Sequence, residues 1–129
     1  DTAGGFGVLK DVPKTLVYDL SKYRNTVSKV IPKRIITRPP SAELAPDQQD
    51  SDSLPDYDTL DKIIELYVEQ DKSKQEIEQS GIERSILDRV IRLIDFSEYK
   101  RRQAPLGVKI TARGFGKDRR YPITNKFLK

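Results

Sequence analysis

Cationic side chains at expected helix ends are the residues of this sequence with the clearest chemical use. Lys14 follows a stretch bearing Gly4, Gly5 and Gly7 and then Pro13, where an apolar rhythm of Leu16, Val17, Leu20 and Tyr23 begins. Proline suits a first helical turn, because the N–H it lacks has no partner there anyway. A helix start offers unpaired N–H groups and partial positive charge, to which a lysine adds a full charge. That combination suits a phosphate or a carboxylate. The alternative is a glycine-rich turn before an ordinary surface helix, and the glycines match neither common phosphate-loop spacing. Lys100, Arg101 and Arg102 fall in one helical turn next to Tyr99, and Ser41 lies in a proline-punctuated stretch between the two cationic sites. Lysines that converge on one point repel each other unless an anion is present, and a polyphosphate or dinucleotide would satisfy them. The alternative for 100–102 is a solvated helix end, where the dipole favours cations.

The composition narrows the chemistry. With 129 residues, the chain is one domain or part of one. Having no cysteine, it has no disulfide, thiolate zinc site or cysteine nucleophile, and having no histidine it lacks the usual general base near neutral pH. No pair of residues forms a recognisable nucleophile–base couple, and the acidic stretch lacks a calcium-loop pattern. No metal ligand is expected. No apolar run approaches the roughly 18 residues of a membrane span, and no signal peptide is visible, so the cytoplasm is the expected compartment. With no methionine in the chain, Asp1 is expected to be internal to a longer protein.

The net charge of +4 is divided as +5 over residues 1–38, −10 over 39–98 and +9 over 99–129. Two basic ends flank an acidic middle. Either the ends fold back near each other and meet something anionic, or they bind acidic parts of a larger assembly.

These side chains need elements to hold them. Residues 13–24 read as an amphipathic helix that can run on to Ile31, where Pro32 closes it. Residues 34–38, RIITR, read as a strand or an extended connector. Residues 39–56 read as a long mobile loop, functional or simply disordered. Residues 58–70 form a clear helix capped by Asp58, with Leu60, Ile63, Ile64, Tyr67 and Val68 as its stripe. Ser73 and Glu76 make a capping box for a short helix ending at Gly81. A further helix spans 83–95, with Ile86, Leu87, Val90, Ile91 and Ile94 inward, and Ser97 caps a last one to Gln103. With turns this short, the helices must pack on one another, so the apolar stripes read as core. GVKIT at 107–111 alternates like a strand, and the basic tail 112–129, with Arg113, Lys117, Arg119 and Arg120, is expected to be extended. The fold class expected of the isolated chain is therefore mainly α: a glycine loop and helix (1–31), an extended segment with its loop (32–57), a helical cluster (58–103) and a basic tail (104–129).

Several long stretches carry a resemblance. DTAGGFGVLKDVPKTLVY at the start resembles the segment that follows the ATP-binding core of bacterial glutamine-dependent NAD synthetases. IITRPPSAEL (35–44), DSLPDYDTLD (52–61), EYKRRQAP (98–105), GVKIT (107–111) and DRRYPITN (118–125) agree with the same family in order. The resemblance implies that the chain is the C-terminal part of an α/β Rossmann-like adenine-nucleotide α-hydrolase fold of the ATP pyrophosphatase type. It implies ATP and Mg²⁺ in the full enzyme: ATP adenylates the nicotinate carboxylate of deamido-NAD, and ammonia then displaces AMP. In this class the ammonia comes from glutamine in a separate glutaminase domain. By resemblance, Lys14 and Ser41 fall on ATP-contacting positions, Ser41 standing where related enzymes have threonine. Tyr99 and Lys100 fall on the pair that meets deamido-NAD, where ammonia-dependent relatives have histidine in place of Tyr99. Gly5 falls where those relatives carry an aspartate that holds the dinucleotide. The implied partners are the rest of the synthetase domain, the glutaminase domain and further copies in a homo-oligomer. The family's serine–glycine–glycine loop with its metal-binding aspartate is not among these residues, and neither is the glutaminase cysteine. The chain should therefore complete half a substrate site and be inactive alone.

Two other readings compete. Residues 72–103 have the outline of a helix-turn-helix followed by basic residues, although Glu83, Asp88 and Asp95 would repel nucleic acid. A purely structural dimerisation piece would need only the apolar helices.

Overall fold

The structure, a computed structural model, describes residues 5–38, 54–116 and 118–123. In chain order its elements are β1 (Phe6–Gly7), α1 (Lys14–Val27), α2 (Lys33–Thr37), α3 (Tyr57–Ile64) continuing into a π-helical turn (Glu65–Glu69), α4 (Lys74–Glu78), α5 (Arg84–Phe96), α6 (Glu98–Gln103) and β2 (Leu106–Gly107). The chain is mainly helical, as its periodicity implies. It divides into two compact units, Pro13–Asp61 and Asp1–Val12 with Lys62–Lys129. The expected loop at 39–56 lies outside the described residues up to position 53, and so does Ser41.

In the Pro13–Asp61 unit, α1 starts as the proline suggests, with Pro13 at the N-cap position and Lys14 as the first helical residue. It does not run on to Ile31. The Asn25 side chain accepts from Val30 N–H and Ile31 N–H at 3.1 and 3.0 Å and donates to Ile31 O at 2.8 Å. That loop of bonds competes with the helix ladder, and Ser28 becomes extended. RIITR is helix rather than strand. Pro32 holds φ at −56°, Ile35 N–H reaches Pro32 O, and the turn stops at Arg38 (ψ 128°) because Pro39 forbids helical geometry before it. The apolar face of α1 is open: α1 buries no residue, and Leu20 and Tyr23 are 47% and 67% exposed.

In the other unit, the core consists of Ile63, Leu66, Tyr67, Val68, Ile77, Leu87, Val90, Ile91 and Ile94. The stripes on 58–70 and 83–95 supply most of it, although Ile86 is only half-buried. The cap of α3 is Asp56 rather than Asp58, with Thr59 N–H and Oγ1 donating to its carboxylate at 2.8 and 2.9 Å. The π-helical turn widens the ladder, so that Gln70 N–H bonds Glu65 O, and three consecutive residues, Leu66–Val68, all face inward. An α-helical spacing rule cannot foresee that. The capping box of α4 forms as read: Ser73 Oγ accepts from Glu76 N–H, and Glu76 answers Ser73 N–H at 2.8 Å. Ser97 makes no side-chain cap. Its carbonyl instead takes the Lys100 and Arg101 N–H groups.

GVKIT does not form a strand beyond Gly107. Leu106 and Gly107 pair in parallel with Phe6 and Gly7. The pairing needs glycine, because a Cβ on Gly107 would lie 2.5 Å from Gly7 O. The next N–H groups then leave the ladder for one carboxylate. Asp11 Oδ2 accepts from Ile110 N–H (2.9 Å), Thr111 N–H (2.9 Å) and Thr111 Oγ1 (2.7 Å), and Oδ1 accepts from Phe115 N–H (3.2 Å). Lys10 Nζ adds a bond to Pro105 O at 2.6 Å. The described part of the tail is therefore folded into turns around Asp11 rather than extended. The start and the tail do fold back on each other, and an anion they meet is the chain's own.

Burial alone would raise the Asp11 carboxyl, but the bonds from Thr111, Ile110 and Phe115 outweigh it and hold it below its usual value. Stability from Asp11 is thus complete above the ordinary carboxylate range and is lost as pH falls through the lowered value. Asp11→Asn should cost about 1–2 kcal/mol at neutral pH, the scale of charge-assisted bonds discounted for partial exposure. The deficit should shrink as pH falls through that lowered value and the wild-type carboxyl itself takes up a proton. Urea unfolding over a pH series from neutral into acid checks this, and equal stabilities at neutral pH would contradict it.

Candidate functional site

In the Pro13–Asp61 unit, the start of α1 is not an open seat for an anion. Thr15 N–H and Oγ1 both donate to Asp61 Oδ2, at 2.9 and 2.8 Å. A carboxylate from the chain already answers the helix dipole there. What faces outward is the Lys14 side chain. Lys14 is exposed, and its Nζ lies 5.7 Å from the centroid of the Tyr57 ring, which in turn sits 6.5 Å from that of Tyr18. No carboxylate among the described residues forms an ion pair with Lys14. The geometry is a single ammonium backed by an aromatic face, which suits a phosphate oxygen.

In the other unit, α6 sorts its cations by helical position. Residues three and four apart share a face, so Glu98, Arg101 and Arg102 stand together. Glu98 is 2% exposed. It accepts from Arg101 Nη2 at 2.8 Å and from Arg102 Nε at 3.1 Å. Arg101 also donates to Ile94 O at 2.6 Å, and its guanidinium lies 4.9 Å from the Phe115 centroid. Arg102 reaches Tyr121 O at 2.8 Å. Burial would raise the Glu98 carboxyl, but the two guanidinium groups outweigh it and hold it low. The three cations of this turn are therefore not equivalent. Arg101 is buried and the exposed Arg102 is tied to Glu98 and Tyr121 O, whereas Lys100, exposed beside the half-exposed Tyr99 with its Nζ 6.0 Å from that ring centroid, forms no ion pair among the described residues.

Gly5 is exposed with φ +105°, a region L side chains rarely adopt. It has no side chain to offer, and an aspartate in this backbone would be strained. Lys14 falls in one unit and Gly5, Tyr99 and Lys100 in the other, while Ser41 lies outside the described residues.

Sequence reasoning did not foresee three of the carboxylates that organise the cations, Asp11, Asp61 and Glu98, nor the Arg119 cluster. Arg119 is 8% exposed, 4.0 Å from the Tyr67 ring centroid and 3.4 Å from Asp95 Oδ1. The spacing of Glu98 to Arg101 and Arg102 was the one available signal. The helix-turn-helix outline loses its support. Lys74 pairs with Asp88, and Arg84 pairs with Glu78 at 3.4 Å, so the early charges of α5 are tied to α4. Among the described residues, no three His, Cys, Asp or Glu are grouped to hold a metal ion, and no helix is long and apolar enough to cross a membrane.

Comparison with known proteins places the chain in a family. The family profile described as NAD synthase matches residues 1–104. The chain is 57% identical over 127 residues to the glutamine-dependent NAD(+) synthetase of Acinetobacter baylyi, covering 97% of this chain and 24% of that protein. It is 54% identical over 129 residues to the same enzyme of Aquifex aeolicus, covering 100% of this chain and 23% of the other. The solved structure of glutamine-dependent NAD+ synthetase from Acinetobacter baumannii in complex with adenosine diphosphate matches at 46% identity and a TM-score of 0.54, over 90% of this chain and 20% of that one. The chain thus spans about a quarter of the length of the curated relatives it matches. None of these is a nucleic-acid-binding module. With a profile covering 104 of its 129 residues and such identity along its length, the chain belongs to the NAD synthase family.

Proposed function

We propose that this chain is the C-terminal portion of the synthetase domain of a cytoplasmic glutamine-dependent NAD synthetase, where it completes a Rossmann-like ATP pyrophosphatase fold. The observation that carries the reading is the 57% identity over 97% of the chain to such an enzyme. The adenosine diphosphate bound by the Acinetobacter baumannii relative supports nucleotide use. In this reading, the full enzyme adenylates the nicotinate carboxylate of deamido-NAD with ATP, and ammonia released from glutamine displaces AMP. The remaining synthetase domain, the glutaminase domain and further copies of the enzyme are the partners.

The chain's own residues bind rather than react. Lys14 presents its ammonium to the phosphates of ATP, where charge-assisted bonds to oxyanions are strongest. Ser41 offers a hydroxyl to the same nucleotide. Lys100, left outward when Glu98 takes Arg101 and Arg102, meets deamido-NAD with Tyr99. Gly5 contributes backbone alone. The described residues do not fit Mg²⁺, since no acidic group of three is assembled among them, and no step is assigned to it in this chain.

Lys100→Ala in the full-length enzyme should raise KM for deamido-NAD about tenfold to a hundredfold, the worth of one charge-assisted bond. KM for glutamine should stay where it is. Steady-state kinetics with each substrate varied in turn checks this, and equal shifts, or none, would remove Lys100 from the substrate site. The 129-residue chain alone should turn over no deamido-NAD in the presence of ATP and ammonia, and measurable product from the pure chain would contradict the division of the site.

A further inference from the structure

Helical spacing gives α6 two jobs. Glu98, Arg101 and Arg102 form an anchoring face, while Tyr99 and Lys100 occupy positions between them and stay exposed. The anchor ties α6 to two other segments. Through Arg101 it holds Ile94 O at the end of α5, and through Arg102 it holds Tyr121 O in the tail. Both guanidinium groups converge on one carboxylate, Glu98, itself 2% exposed. A buried carboxylate paired with two arginines is weak evidence of net stability, because desolvation offsets much of the attraction. Its geometric consequence is firmer. The bonds fix the rotation of α6 about its axis, and that rotation sets where residues 99 and 100 point.

We propose that Glu98 is a positioning residue for the Tyr99–Lys100 pair, locking α6 so that the pair is presented to deamido-NAD. The proposal rests on the assignment of that pair to deamido-NAD. It predicts an effect confined to one substrate, because the lock acts on α6 and not on Lys14 or Ser41.

The test is steady-state kinetics of the full-length enzyme carrying Glu98→Gln, with Lys100→Ala as the reference. Glu98→Gln should raise KM for deamido-NAD roughly tenfold, the order expected when a binding group is misplaced by a fraction of an ångström. KM for ATP and the rate of glutamine hydrolysis should be unchanged. Parallel rises in the KM for ATP and for deamido-NAD, or no rise in either, would overturn the proposal. Should Glu98→Gln fail to fold, Arg102→Lys serves instead. It keeps the charge but loses the planar fork that reaches Glu98 and Tyr121. It should raise KM for deamido-NAD several-fold with KM for ATP unchanged, and an unaltered KM for deamido-NAD would overturn the proposal. If Lys100→Ala shifts KM for deamido-NAD and neither variant does, the positioning role alone fails. If Lys100→Ala shifts nothing, the substrate assignment fails and the proposal falls with it.

Discussion

The Asp11 carboxylate is the constraint on which much of this fold depends. A loop three residues before Lys14 receives four hydrogen bonds from Ile110, Thr111 and Phe115. Those N–H groups would otherwise continue the β2 ladder or face water, and a buried donor without a partner is expensive. One side chain therefore ends a strand, turns the tail and joins residues about a hundred positions apart. Glycine makes the approach possible at the adjoining sheet, where Gly107 leaves no room for a Cβ.

The same logic recurs at Asp61 and at Glu98. In each case a carboxylate of the chain takes donors that look, from the sequence, like ligand-binding groups. Asp61 takes the Thr15 N–H at the start of α1, and Glu98 takes two of three consecutive cations. Beside these carboxylates the Lys14 and Lys100 side chains stay exposed.

Legibility from sequence followed the range of the interactions. The capping box of Ser73, the stripe on α5 and the start of α1 at Pro13 are local, and all three were readable. The β-branched run at 33–37 became helix because the flanking prolines set its backbone, which outweighs a weak strand propensity. The π-helical turn, which buries Leu66, Tyr67 and Val68 in succession, breaks the periodicity on which the reading relied. Asp11 was invisible because its partners lie a hundred residues away. Of the candidate site, Lys14 stood out by its place at a helix start and Lys100 only together with its cationic neighbours, while Tyr99 could be named only through long contiguous matches to a family. Composition alone could not separate Lys100 from Arg101 and Arg102, since only folding shows which cations meet Glu98. The open face of α1 shows the same limit: periodicity shows that a stripe exists, not what covers it.

The most direct measurement is a crystal structure of the full-length enzyme with a non-hydrolysable ATP analogue and deamido-NAD bound together. The account predicts Lys14 Nζ within hydrogen-bond distance of an ATP phosphate oxygen and Lys100 Nζ within that distance of deamido-NAD. Asp11, Asp61 and Glu98 should keep the partners described above. Either ammonium facing solvent, or Arg101 or Arg102 leaving Glu98 to take Lys100's place on the dinucleotide, would contradict it.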